Sequence, residues 1–301
     1  AFWIIVLNSW MQTPQGFQMI DGQAYATDWI AIVFNPSMPY RLAHMLTAAF
    51  ITVAFLLAGI SAYRQLKGSK SLANRSVLRI AITTAAVLMP IQIILGDAHG
   101  LNTLHHQPAK LAAMEGIWET STGVPAVLFA IPDQKTQSNL YEISIPKLAS
   151  FYLTHHWDGE VKGLKDFPNK IPPVAPVFFA FRIMVGVGVL MLLVSWIARW
   201  QLYQLQDIKP WMAKVLVGMT FSGWVAVVAG WYVTEIGRQP YIVTGVLTTA
   251  DAATKIAGGI VLSSLVMYLL LYFALIISYI GVVFYLAREA DKPKVTSPSA
   301  N

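Results

Sequence analysis

Long apolar runs set the first constraint on this chain. Tyr40–Tyr63, Val77–Gly96, Val174–Ala198, Met212–Thr234 and Ile256–Ala287 each reach the length of roughly 20 residues that a helix needs to cross a bilayer. Hydrocarbon offers no partner to a backbone N–H or C=O, so such runs must close their hydrogen bonds internally, as helices. A shorter run, Ala1 to about Asn8, reads as the tail end of one more span. The expected fold is therefore all-α: a polytopic transmembrane helix bundle of five complete spans plus the end of a sixth. Composition agrees, with 56% hydrophobic and 12% charged residues against about 45–50% and about 25% in soluble domains. The last run, as a helix of about 48 Å, exceeds the hydrocarbon thickness and is expected to tilt or project.

Basic residues orient the runs. Arg64, Lys67, Lys70, Arg75 and Arg79 follow the first complete run. Arg199 and Lys209 lie between the third and fourth, with Lys214 at the start of the fourth, and Arg288, Lys292 and Lys294 follow the last. Positive charge favours the cytoplasmic side, so these connections are expected inside, and the carboxy terminus with them. Trp10–Pro39, Asp97–Pro173 and Glu235–Lys255 are then outside. This divides the chain into membrane helices over 1–96, one large outer loop over 97–173, and three membrane helices with a cytoplasmic tail over 174–301. Prolines such as Pro132, Pro146, Pro168, Pro172 and Pro173 predict mostly irregular structure in the loop beyond its first helix. The net charge of +6 is spread over connections and reads as topology, with no nucleic-acid partner expected. The absence of cysteine excludes disulfides, c-type haem attachment and thiolate metal sites. The opening AFWIIVLNSW has no methionine and already lies inside an apolar run, so the start of a parent protein is expected to be missing.

The outer loop opens with HQPAKLAAMEGIWET, His106–Thr120. Wound as one helix, it puts Ile117, Lys110, Met114, Trp118 and Leu111 on a single arc. Glu115 and Glu119 then stack one turn apart at its edge, a spacing that costs an isolated helix about 0.2–0.5 kcal/mol. A lysine inside an apolar arc beside two acids marks this stretch as a candidate site.

Polar groups within spans are costly and so are functional candidates. His44 lies about one turn into its run; imidazole is a metal and haem ligand, or simply hydrogen-bonds a neighbouring helix. Arg182 and Met184 lie about two turns into theirs, and Arg182 there needs an anion, such as a haem propionate, or a wet cavity. His and Met together can ligate one low-spin haem iron, and Gly186 and Gly188 would let a macrocycle approach the backbone. Gly218, Ser222, Ala226 and Gly230, each four apart, form a small-residue ridge for helix packing. Trp231 and Glu235 stand one turn apart at its end, and Glu235 is within reach of Arg238 as a rim carboxylate. The paired histidines His105–His106 and His155–His156 are read as solvated loop residues.

Four separated segments then carry a resemblance: NSWMQTPQG (Asn8–Gly16), GDAHGLNTLHHQPAKLAAMEGIWET (Gly96–Thr120), FRIMVG (Phe181–Gly186) and GWYVTEIGRQP (Gly230–Pro240). In this order they resemble subunit I of cytochrome bd-type ubiquinol oxidases, over essentially the whole chain. GLNT and HQPAK are similar to the cyanide-insensitive branch with a short quinol loop. The resemblance implies His44 and Met184 as axial ligands of a low-spin haem b and Glu235 as ligand of a second, high-spin haem b. It implies Trp231 among the haems, Arg182 and Arg238 near them, and Lys110 and Glu115 in quinol oxidation. A third haem, d-type or a further haem b, would have its ligand in the missing helices. The implied partners are a membrane-embedded second oxidase subunit, a small single-span subunit, ubiquinol or menaquinol, and oxygen, in a bacterial cytoplasmic membrane. In the implied reaction Glu115 accepts a quinol proton while Lys110 holds that acid or a quinone oxygen.

Two other readings stay open on residues alone. A dihaem quinol-linked cytochrome b would show several in-span histidines, and only His44 is counted in a span. A secondary transporter would show internal repeats and broken helices, and neither is visible.

Overall fold

A computed structural model describes residues 2–289. Lys292 and Lys294, with the rest of the expected tail from 290 on, lie outside the described residues. The chain begins with α1 (Phe2–Gln12), a hairpin of β1 (Phe17–Ile20) and β2 (Gln23–Ala26), and the short α2 (Trp29–Val33). Two long helices follow, α3 (Met38–Leu66) and α4 (Leu72–His106). The loop segment holds α5 (Pro108–Glu115), β3 (Ser121–Thr122), β4 (Ala126–Asp133), β5 (Ser138–Ile145), α6 (Leu148–Thr154) and β6 (Glu160–Val161). Then come α7 (Val174–Gln204), α8 (Pro210–Gly218), α9 (Ser222–Ile236), the strand pair β7 (Tyr241–Val243) and β8 (Leu247–Thr248), α10 (Thr249–Ala252) and α11 (Gly258–Glu289). Five stretches are long and apolar enough to cross a membrane, the expected five, with α8 and α9 together forming one of them.

The bundle core lies between α3, α4, α7 and α8. Phe55, Ile82, Leu78, Met191, Met212 and Leu216 are almost fully buried there. Small residues let the helices approach: a Cβ on Gly59 of α3 would stand 2.9 Å from the Leu216 carbonyl. Pro90 inside α4 has no N–H to give Ala86, and the Trp196 indole of α7 donates to that freed carbonyl at 3.0 Å. By contrast α11 buries only Ala287 and touches the rest through rings such as Tyr63–Phe284 and Trp224–Tyr279. The basic connections expected on one side do meet. Arg75 pairs with Asp207, Gln65 donates to Asp207 and Arg79 to Gln206, tying the α3–α4 turn to the α7–α8 turn.

Three expectations change. The span predicted over Met212–Thr234 is broken at Met219–Phe221, where Thr220 and Ser222 hydroxyls turn back onto the Val217 and Met219 carbonyls. The four-apart ridge is therefore not one continuous stripe; Gly218 faces open space, and Gly223, off that stripe, is the residue against Thr52. The loop is not mostly irregular. Its prolines flank an antiparallel β4–β5 hairpin and α6, and Pro132 sits inside β4 of this two-stranded pair, where a missing donor is tolerated. Finally, α5 does not run to Thr120: Gly116 takes the left-handed conformation at φ 73° and closes the helix after Glu115.

Candidate functional site

The early stop of α5 separates the two acids. Glu119 is exposed and bonds Lys165 at 2.6 Å, so the predicted stack of like charges does not exist. Glu115 and Lys110 are both turned inward, each 5% exposed. Burial pushes the Glu115 carboxyl above its ordinary value, against the Tyr152 hydroxyl and the Arg182 charge, which favour the carboxylate. Burial pushes the Lys110 ammonium well down, and Arg41 and Arg238 push the same way against Glu235. Lys110 does not hold Glu115. Its Nζ donates to Gln12 and, at 2.8 Å, to Gln107.

Beneath this helix lies a cavity of about 420 Å³. His44 and Arg41 reach it from α3, Gln92 and His99 from α4, Lys110 and Glu115 from α5, Tyr152 from α6, Met184 and Gly188 from α7, and Trp231 from α9. Much of the remaining wall is apolar, with Ile51, Met89, Leu111, Met114, Phe181 and Val185, and Asp97, Gln107 and Thr103 add polar groups. The His44 Nε2 meets Gln92 at 3.1 Å, while its Nδ1 is buried without a partner. Two glycines give the candidate ligands room: a Cβ on Gly96 would lie 3.3 Å from the His44 ring, and one on Gly230 would lie 3.0 Å from the Met184 sulfur. Gly188 meets nothing within 4 Å on the cavity side.

Glu235 and Arg238 adjoin this chamber. Glu235 accepts from Asn8 at 2.7 Å and from Arg238, as expected of a rim pair. Asn8 in turn accepts from Arg41, which links α1, α3 and α9 in one polar chain. Gln12, one turn along α1, accepts from Lys110 and Gln107 and donates to the Thr234 carbonyl at 3.3 Å. NSWMQ is thus a structural part of the site. Arg41 Nε and Arg238 Nε and Nη1 are buried without partners. Unsatisfied guanidinium groups beside a chamber fit anionic groups such as haem propionates, and an imidazole, a thioether and open glycine faces fit a macrocycle.

Arg182 departs from its expected part. Its guanidinium donates to Met114 O at 2.8 Å, Phe178 O at 3.1 Å, Glu115 O at 3.4 Å and Val127 O, and lies 3.2 Å over the Phe178 ring. Main-chain carbonyls, not a propionate, take its N–H groups; only Nε is unpartnered. It fastens the end of α5 and strand β4 to α7.

Arg41, His99, Gln92 and Tyr152 were missed in the sequence. Arg41 carried a signal, since it precedes His44 by one turn on the same face. His99 was assigned to the loop; α4 extends to His106, placing His99 within a span, its ring 5.8 Å from His44. The count of one in-span histidine therefore fails. Tyr152 had no signal at all. The pairs at His105–His106 and His155–His156 lie at an end of α4 and in an exposed turn. Among the described residues no group of three or more His, Asp or Glu is placed to hold a metal ion.

A multi-pass helix bundle with an imidazole, a thioether and buried guanidinium groups around one chamber, roofed by a folded loop, defines a membrane protein built for a large planar cofactor. The chain belongs to the cytochrome bd terminal oxidase subunit I family, whose model matches residues 1–291. It is 33% identical to cytochrome bd ubiquinol oxidase subunit 1 of Bacillus subtilis (strain 168), over 97% of this chain and 64% of that protein. It is 30% identical to cytochrome bd-II ubiquinol oxidase subunit 1 of Escherichia coli (strain K12), over 96% of this chain and 70% of the relative. The solved structure of bd oxidase from Geobacillus thermodenitrificans superposes with a TM-score of 0.87 at 34% identity, covering 96% of this chain and 67% of that one. The chain thus spans about two thirds of the length of the relatives it matches.

Proposed function

We propose that this chain is the haem-bearing part of a quinol:oxygen oxidoreductase, oxidising quinol under the α5 roof. The observation that carries the reading is that Lys110 and Glu115 share one chamber with His44 and Met184. His44 and Met184 would hold a low-spin haem b, and Glu235 a second, high-spin haem b, with Trp231 lining the same chamber as His44 and Met184. Arg41 and Arg238 are the better propionate partners, since Arg182 is occupied by carbonyls. A third haem, d or a further haem b, belongs to a part of the oxidase not represented by these residues. Bound here, haem supplies the electron transfer from quinol toward oxygen.

The residues of the chain handle the quinol. Each quinol yields two electrons and two protons, and two quinols reduce one oxygen to two waters. Glu115, whose carboxyl burial raises above its ordinary value, takes a proton from one quinol oxygen when ionised. Lys110, fixed by Gln12 and Gln107, donates a hydrogen bond to the other. The apolar wall accommodates the ring and tail. Ubiquinol and menaquinol both fit this chemistry; relatives named for each are known. The loop faces the outside of a bacterial membrane, the basic connections face the cytoplasm, and a membrane-embedded second subunit and a small single-span subunit complete the assembly.

The test is a reduced-minus-oxidised spectrum of the full assembly from its own membrane, with and without Met184→Leu. Haem bands that change in the variant support the ligand set. Absence of haem bands sinks the oxidase reading.

A further inference from the structure

A second concavity, away from the haem chamber, opens between α4 and α7 as a groove of about 470 Å³. On α7 it is lined by Trp196, Arg199, Trp200 and Tyr203. Offsets of three, four and seven residues put these four side chains on one helical stripe. The three aromatic rings are each more than half exposed. The α4 wall is built of small residues, with Thr83 and Val87 one turn apart and Ala86 between them. The Trp196 indole donates to the Ala86 carbonyl at 3.0 Å, which holds this edge of the groove in shape.

The sequence put Arg199 in a connection, but α7 runs on to Gln204 and carries it within the helix. At 1.5 Å per residue it stands about 7.5 Å short of that end. This is the depth of the headgroup layer, where Trp and Tyr rings collect. The same end of the bundle holds the basic connections. Two arginines there are engaged, Arg75 with Asp207 and Arg79 with Gln206. Arg199 is half-buried and, among the described residues, takes part in no hydrogen bond or ion pair. A guanidinium at that depth is costly without an anion or water beside it. Toward the membrane centre, exposed Ile91 of α4 and exposed Leu193 and Val189 of α7 continue the two stripes. The groove therefore has a free cation among aromatic rings at one end and an apolar track leading inward from it.

We propose that this groove holds one anionic glycerophospholipid of the leaflet on the basic side, with its phosphate on Arg199 and an acyl chain along Val87, Ile91 and Leu193. Charge selects the occupant. A phosphate accepts the paired N–H groups of a guanidinium, and Trp and Tyr suit a level where one end is apolar and the other wet. A zwitterionic lipid offers the same chain but brings a cation of its own, which offsets the attraction. A protein helix, about 10–12 Å across, would have to supply an acid at the level of Arg199.

The experiment strips loosely held lipid from the full assembly in detergent. It then follows added dioleoyl phosphatidylglycerol or dioleoyl phosphatidylcholine by native mass spectrometry. Phosphatidylglycerol should be retained in preference. Arg199→Gln should weaken its retention about fivefold, the scale of one basic residue at an anionic surface, while phosphatidylcholine and the haem spectrum stay as in the parent. Arg199→Lys should keep most of the retention. Lys214→Gln, which removes an exposed charge of the same side outside the groove, should have little effect. If Arg199→Gln assembles poorly, Val87→Trp fills the groove from an exposed position and leaves the cation, and should lower retention by itself. Equal retention of the two lipids, a loss in Arg199→Gln no greater than in Lys214→Gln, or retention unmoved by Val87→Trp overturns the site. So does a photocrosslinker at position 200 that captures a single-span polypeptide in place of lipid.

Discussion

The contact between Gly230 and Met184 tests the ligand assignment without touching a ligand. Gly230→Ala places a Cβ 3.0 Å from the Met184 sulfur and 3.9 Å from its Cγ. Ordinary heavy-atom contact lies at about 3.5–4.0 Å, so the sulfur must retreat by about 0.5–1 Å. Overpacking of that kind costs about 1–3 kcal/mol, which weighs against the seated sulfur by roughly five- to 150-fold. A thioether on a haem iron raises its potential, so a displaced sulfur should lower the midpoint of the low-spin haem and weaken its spectrum. The assay is a redox titration of the assembled protein followed at the low-spin haem band. Gly218→Ala is the control, since nothing lies within 4 Å of its Cβ position, and it should be silent. A Gly230→Ala protein with parental midpoint and spectrum refutes the reasoning, most sharply if Met184→Leu does change them.

Glu115→Gln should lower quinol oxidation by about 10²–10⁴-fold with haem content intact, as measured by steady-state oxygen uptake. Because burial raises the Glu115 carboxyl above its ordinary value of about 4.3, its proton-accepting form is lost as pH falls through that raised value; the rate should fall on the acid side sooner than for a solvated carboxylate, read from a pH–rate profile. Arg182→Met removes cross-links from α7 to α5 and β4, each worth about 1–3 kcal/mol, so amide exchange at Gly116 to Val127 should speed by tenfold or more. Gly116→Val should unseat the turn after α5, because the residue sits at φ 73° and its Cβ would stand 2.8 Å from Phe178; quinol oxidation should fall while the low-spin haem spectrum persists.

The membrane helices were legible because a span must be both long and apolar, and that pattern survives in any window of the chain. The break at Met219–Phe221 was not, since Thr220 and Ser222 read equally well as packing residues until their hydroxyls are seen on carbonyls. The stop at Gly116 was visible as a glycine, yet the apolar arc through Trp118 outweighed it; Trp118 is buried for another reason, with its indole on Asn139 of the hairpin at 2.8 Å. Polar site residues in spans stood out by their cost in lipid, which found His44 and Arg182; Met184 entered only as the partner His44 would need on a haem iron. Tyr152 and Gln12 come to the site through tertiary folding, from positions where a tyrosine or glutamine is unremarkable. The resemblance named the residues but not their partners, and so did not foresee that Arg182 binds main chain.

The Arg182 clamp has a consequence for how freely the roof can vary. All four of its acceptors are main-chain carbonyls, and a carbonyl survives every substitution. Side chains at 114 and 127 can be exchanged without unfastening the loop, provided the path of the backbone is kept, whereas the Phe178 ring packs on the guanidinium itself. Deletions and insertions between 115 and 127 are another matter, because they move the acceptors themselves. The roof is thus held by its backbone path and fixed in length at one point, two residues along α7 from Met184.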